Sequence, residues 1–379
     1  MLNDSASRPW RLPIAAITAV TVFNLAFGIL SVFAQQAPGK PYVVIEYARL
    51  DHPGASAVVR RINSFKEIAV GFKGSDPRKP FTAFILTNAG PQGIFGDTSV
   101  DYSVAYGLND RGEIAGAFNT STALRPFRAV RNVGFQPLAL LPGHTGGVAF
   151  GVNDLGETAG YSSGSTGSRA VWWTRNGDLA ELQSLPGSTA TRALALNDRG
   201  DIVGTSGEEQ KRAVLWPNKG AVVSLVGLPG FASSEAVSIS DRGDIAGFAT
   251  RIDGSATRSR AVLWASGGQS IRDLGTLPGG ADSRAQDING RDEVVGMSTS
   301  SAGNRAFIWT AERGMVDLNT LVLTKAVILT DALSINKYGD IVAIGHEASS
   351  SPSHDDHVEH ERPRRIVVFS RDEQKEETM

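Results

Sequence analysis

Cysteine is absent from the 379 residues, and with it go disulfides, thiolate zinc sites and cysteine nucleophiles. Stability must rest on buried core area, which a folded region of about 345 residues can supply because larger domains bury a greater share of their surface. Net charge is also nearly absent, formally -2 at pH 7, so nothing draws the chain to nucleic acid. Histidine is scarce, with six residues in all. No serine stands on the strand-to-helix elbow of a hydrolase, and no nucleophile–base pair can be read. What the chain does have is 41% hydrophobic and 20% charged residues, the balance of a folded globular protein. Its 42 glycines point to many tight turns.

One long apolar run exists, from Leu12 to Ala34, preceded by Arg8 and Arg11 and ending on Val32-Phe33-Ala34. A basic start, an apolar core and small residues at the end read as a signal peptide over residues 1–34. At 23 residues the run is also long enough for an uncleaved membrane anchor. Either way the remainder is placed outside the cytoplasm, secreted or periplasmic. Export without cysteine suits a bacterial envelope protein. Residues 35–41 read as a linker, 42–370 as a repeat region and 371–379 as a polar tail.

The repeat region is periodic. Asn63, Asn109, Asn153, Asn197, Ser240, Asn289 and Asn336 recur at intervals of 43 to 49 residues, the period of a four-strand unit. Each anchor ends an apolar stretch, and four residues later an acidic residue opens the next: Glu67, Glu113, Glu157, Asp201, Asp244, Glu293 and Asp340. Asn-Asp-Arg-Gly between apolar stretches is a hairpin turn, with Gly supplying the positive φ. A third strand reads Arg169-Ala170-Val171-Trp172-Trp173, Arg212-Ala213-Val214-Leu215-Trp216 and Arg305-Ala306-Phe307-Ile308-Trp309, and five of the six tryptophans fall in this strand. The leucines of Leu182-Gln183-Ser184-Leu185 and Leu274-Gly275-Thr276-Leu277 are assigned to a fourth, which breaks at Pro-Gly.

Seven such units and no helical pattern predict an all-β, seven-bladed β-propeller of four-stranded antiparallel blades. Small residues such as Ala236 and Ala285 belong near the axis, and tryptophan toward the rim. The last unit lacks a fourth strand, because residues 370–377 are too polar, whereas residues 42–47 form a strand with no blade. A propeller must close. Residues 42–47 are therefore expected to pair with 366–369, completing one blade from both termini.

The pattern of Leu-Pro-Gly, an Ile-Asn turn and Arg-Ala-Phe before Trp resembles the HAF repeat, a motif of predicted extracellular bacterial proteins, over about residues 42–369. Here Arg-Ala-Val or Arg-Ala-Phe stands for the family's His-Ala-Phe. The resemblance implies a repeat protein outside the cell and no particular activity.

Three groups of residues are candidates for chemistry. The seven acids after the turns either form a cation-binding ring or each accept backbone hydrogen bonds in their own turn. The arginines opening the third strand, at Arg128, Arg169, Arg212, Arg260, Arg305 and Arg365, are expected about 13 Å from those acids, on the opposite face. His354, His357 and His360, interspersed with carboxylates, have the residue types and spacing for a divalent metal, against a solvated loop as the alternative. No other cofactor is expected. His144, His52 and His346 have no visible partner.

Two function classes follow. The first is a non-catalytic binding or scaffolding module, expected to be a monomer, for a protein or glycan partner. The second is a propeller enzyme of glycan lyase, lactonase or phosphatase type with an axial metal or carboxylates. That enzyme needs unlike polar residues converging at the axis, and neither the first repeat nor the stretch near His354, the most divergent segments, supplies them.

Overall fold

Alternating small, apolar and polar residues, punctuated by Asn and Gly turns, fold each of the first six repeats into four antiparallel strands paired in sequence order. A computed structural model of the chain describes residues 42–50, 56–73, 82–87, 89–94, 102–120, 122–131, 134–322, 327–348 and 364–371. The blades span 56–93, 103–137, 146–181, 191–224, 233–273 and 283–317, and blade 7 spans 327–371. The innermost strand of every blade touches that of the next, and blade 7 touches blade 1. The molecule is a seven-bladed propeller.

Blade 7 borrows its outer strand. Tyr42–Leu50 lies against the last strand, Arg364–Arg371, with Val44 opposite Phe369, Ile45 opposite Val368 and Glu46 opposite Val367. This is the closure expected from counting strands. Tyr42 is buried and meets the Phe369 ring edge-on at 6.5 Å, a favoured aromatic geometry.

The core is a set of layers between neighbouring blades. Ala195, Val203 and Leu215 of blade 4, for example, pack against Ala236, Ile245, Val262 and Trp264 of blade 5. Tryptophan indoles fasten these layers by donating to carbonyls just beyond the preceding blade's outer strand, Trp173 to Ala139 at 2.9 Å, Trp216 to Gln183 at 2.7 Å and Trp264 to Val226 at 2.8 Å. The leucine segments fall just past the outer strands, which are shorter than expected, such as Leu179–Glu181 and Ile271–Asp273. Leu182, Leu225 and Leu274 are buried there. Between blades they gain more apolar contact than a rim strand offers.

Every inner strand carries a β-bulge. The register slips at the residue three before the anchor, namely Arg60, Tyr106, Phe150, Leu194, Val237, Gln286 and Leu333. Blade 7 has a second slip at Thr330. Opposite the bulge, five blades place a glycine in the second strand, where a Cβ would collide with the inner strand's carbonyl. At Gly204 that atom would lie 1.9 Å from the Arg192 oxygen.

Candidate functional site

Three levels succeed one another along the propeller axis. At the face carrying the anchor turns, each anchor Asn serves both its turn and its neighbour. Asn109 Oδ1 accepts the Arg111 and Glu113 N–H groups, while its Nδ2 donates to the Glu113 carboxylate and to the Asn153 carbonyl of the next blade. The inter-blade bond repeats from Asn63 to Asn109, Asn153 to Asn197, Asn197 to Ser240, Asn289 to Asn336, and Asn336 to Asn63, at 3.0–3.2 Å. Ser240 is too short to reach Asn289, and its hydroxyl accepts only the Asp244 N–H of its own turn. A belt of side chains thus encircles the mouth with one gap.

The post-turn acids are tied to this belt. Glu67, Glu113, Glu157, Asp201, Glu293 and Asp340 accept from their own anchor Asn, and Asp244 accepts from Ser266 N–H. The backbone N–H bonds of these turns go to the Asn oxygen instead. Several acids also hold a cation, Glu67 with Arg131 at 2.6 Å and Glu157 with Lys219 at 2.7 Å. Among the described residues no three His, Asp or Glu side chains converge to hold a metal.

Inside the belt, Asp110, Asp154, Asp198 and Asp241 each accept the backbone N–H one position past the preceding blade's anchor around a mouth cavity of about 270 Å³. Burial pushes the Asp154 and Asp198 carboxyls up, with neighbouring aspartates adding to it. At Asp110 burial is outweighed by Lys337 and Ser64, which hold that carboxyl below its usual range.

Deeper in, the residues two before the anchors line a throat of about 160 Å³, and here the repeats differ. Glycine or alanine at 107, 151 and 195 faces Arg61, Ser238, Asp287 and Ser334. The buried Asp287 carboxylate pairs with Arg61 and accepts from Ser238 Oγ at 2.5 Å, Ser334 Oγ at 2.6 Å, Ile288 N–H at 3.0 Å and Ile335 N–H at 3.1 Å. A buried charge so fully paired is a clasp across blades 1, 5, 6 and 7.

The third level, beyond the throat, is the richest in unlike groups. Arg60 of blade 1 lies over the Tyr106 ring of blade 2 at 5.5 Å, Arg192 of blade 4 over Tyr161 of blade 3 at 5.0 Å, and Arg284 of blade 6 over Phe248 of blade 5 at 4.7 Å. Phe150 joins Tyr106 and Tyr161 at 5.1 and 5.8 Å. Blade 7 contributes Asp331 between its two bulges. Its Oδ2 accepts from Gln286 at 3.4 Å and its Oδ1 is buried without a partner. Burial pushes this carboxyl up to about 7, against the opposing pull of Gln286, Arg60 and Arg284. Arg60 and Arg192 are exposed, and none of the three arginines pairs with a carboxylate among the described residues.

The third-strand arginines lie at the far end from the turn acids, where Arg169, Arg260 and Arg305 approach Glu181, Asp273 and Asp317 of their own outer strands within 3.7–3.9 Å. Arg128 is an exception. Phe127 faces Gly116 as Val171 faces Gly160, so Arg125 holds the equivalent position and Arg128 lies three residues on, donating to Gly156 O at 2.6 Å. His144 meets Ser162 Oγ at 2.9 Å and His346 its neighbour's carbonyl. His52, His354, His357 and His360 lie outside the described residues.

Unlike polar residues do converge at the axis, spread one or two per repeat rather than gathered in the most divergent segments. The signal was present: five positions before the anchor, Val58, Val104 and Val148 give way to Arg192, Glu235, Arg284 and Asp331. A charge breaking an apolar column marks such a site.

No family model and no curated protein matches the chain. Solved structures do. The β-propeller domain of the Trilobed protease from Pyrococcus furiosus matches with a TM-score of 0.54 at 11% identity, over 83% of this chain and 95% of that one. A prolyl endopeptidase matches with 0.53 and 11%, over 83% and 52%. Virginiamycin B lyase from Staphylococcus aureus, in an inactive form with quinupristin, matches with 0.50 and 11%, over 87% and 99%. Likeness at this identity concerns the backbone alone, and on that ground the chain has the fold of a β-propeller.

Proposed function

We propose that this chain is an exported propeller that binds a protein or glycan partner on the face carrying the arginine–aromatic pairs. The observation that carries the reading is the third level itself, three arginines with no ion-pair partner among the described residues, each lying over an aromatic ring of a neighbouring blade. Arginine and aromatic side chains are the groups most often found at the centre of binding surfaces. The opposite face has its polar groups occupied by the Asn belt and the aspartate ladder. Export rests on the basic and apolar start of the chain and on the resemblance to HAF repeats. Among the described residues no helix is long and apolar enough to cross a membrane.

Asp331 favours a second reading, an enzyme of glycan lyase, lactonase or phosphatase type. A carboxyl titrating near 7 suits proton transfer. The two readings separate on one pair of variants. A binding module loses its partner, recovered from envelope extract or a glycan array, with Arg60→Ala and Arg192→Ala together, and shows no turnover. Turnover abolished by Asp331→Asn with binding retained would establish the enzyme.

A further inference from the structure

Resting on that binding reading, we propose that the partner is an acidic glycan, a saccharide whose ring carboxylates or sulfates meet the guanidinium edges of Arg60, Arg192 and Arg284 while its hydroxyls meet Asp331 and Gln286. A guanidinium lying over an aromatic ring is held in orientation, and what it then offers is its planar fork of N–H donors. That fork matches carboxylate and sulfate oxygens two at a time. Three forks therefore select an anion with several charged groups, and the arginines are contributed by blades 1, 4 and 6, so those groups must be spread across the axis. One charged residue on a small molecule cannot satisfy them.

The choice of a saccharide over an acidic peptide comes from blade 7. Between Arg284 and Arg60 stands Asp331, whose Oδ1 is buried and unpartnered, beside the Gln286 amide, whereas Glu235, the other acid of this column, is paired with Lys211. An aspartate or glutamate side chain brought here would set carboxylate against carboxylate. A sugar acid instead carries hydroxyls next to its charged group, and a hydroxyl can donate to Asp331 and accept from Gln286. The bulges at Thr330 and Leu333 flank Asp331, and bulges are a common means of aiming a side chain into a site.

Calorimetry on the purified protein tests the inference with four probes: an oligogalacturonate, a sulfated oligosaccharide, a neutral oligosaccharide and polyglutamate. One or both acidic saccharides are expected to bind, and which of them does decides between carboxylate and sulfate as the charged group. Arg60→Lys, Arg192→Lys and Arg284→Lys should each weaken that binding about tenfold although the charge is kept, because the fork is lost. Gln286→Leu should also weaken the saccharide, because the amide that meets its hydroxyls is lost. Polyglutamate binding as tightly as the saccharides would overturn the acidic-glycan assignment, as would binding of the neutral oligosaccharide alone or of none of the four. In those cases, loss of an envelope partner with Arg60→Ala and Arg192→Ala would still uphold the binding face. Acidic saccharide binding that ignores all three Arg→Lys changes would overturn the assignment of the arginines.

Discussion

Asp331 occupies a column that is valine in blades 1, 2 and 3, and there burial penalises its charged form more than Gln286, Arg60 and Arg284 favour it. Its carboxyl is raised to about 7 from an ordinary 3.8. Between those values the folded chain keeps a proton that the unfolded chain has released, so stability falls as pH rises from about 4 to about 7, and the whole penalty is present above that. The displacement corresponds to about 4 kcal/mol for a dry group and to about 2 kcal/mol for one that water partly reaches. Asp331→Asn should therefore stabilise the protein by about 2 kcal/mol at pH 8, with the gain vanishing toward pH 4. Denaturant melts at the two pH values measure it. A gain independent of pH would mean that ionisation is not the cause. Gln286, Arg60 and Arg284 are the other groups acting on this carboxyl.

At the scale of the strand, the bulge three residues before each anchor decides where side chains point. Past it the alternation of the inner strand is reset, so adjacent residues Arg60 and Arg61 serve the outer face and the throat respectively. The glycine in the facing strand accommodates the bulge. Gly204→Ala should cost about 1–3 kcal/mol through overpacking against the Arg192 carbonyl and should also weaken ligand binding by displacing Arg192. Gly227→Ala, with nothing within 4 Å of its Cβ, should leave both unchanged, and thermal melts with ligand titration compare the two. Blades, turns and the closing strand were legible because periodic spacing and turn chemistry act over a few residues. The bulges were not, although glycine recurring inside a strand was their trace. Nor was the outer-strand boundary, since the leucines read as a strand are buried as a layer between blades. Arg128 misled for a related reason. Arg-Ala-Val follows the true Arg125-Pro126-Phe127 by three residues, and only cross-strand register separates them.

For the whole molecule, two seams matter and they lie in different places. The Asn belt is open between Ser240 and Asn289, whereas the first and last described strands meet in blade 7, where the belt is continuous through Asn336 and Asn63. Deleting residues 42–50 would leave Arg364–Arg371 an unpaired sheet edge and remove the buried Tyr42. Loss of cooperative melting, or association through the bare edge, is the expected outcome, followed by calorimetry and light scattering. A deletion variant that stays monomeric with an unchanged melting temperature would mean that the ring does not depend on this strand.

Closure by the first strand also sets an order of events. Val44 waits for Phe369, a partner on the far side of all six other blades in the sequence, so blade 7 cannot be finished until those blades have been made. Contacts of such long range are slow to form because the intervening chain must first be gathered. Blades 1 to 6 are local units that need no such wait. The same pairing that seals the ring thus delays its closure, and formation of this last strand pair is the step that the refolding rate should report.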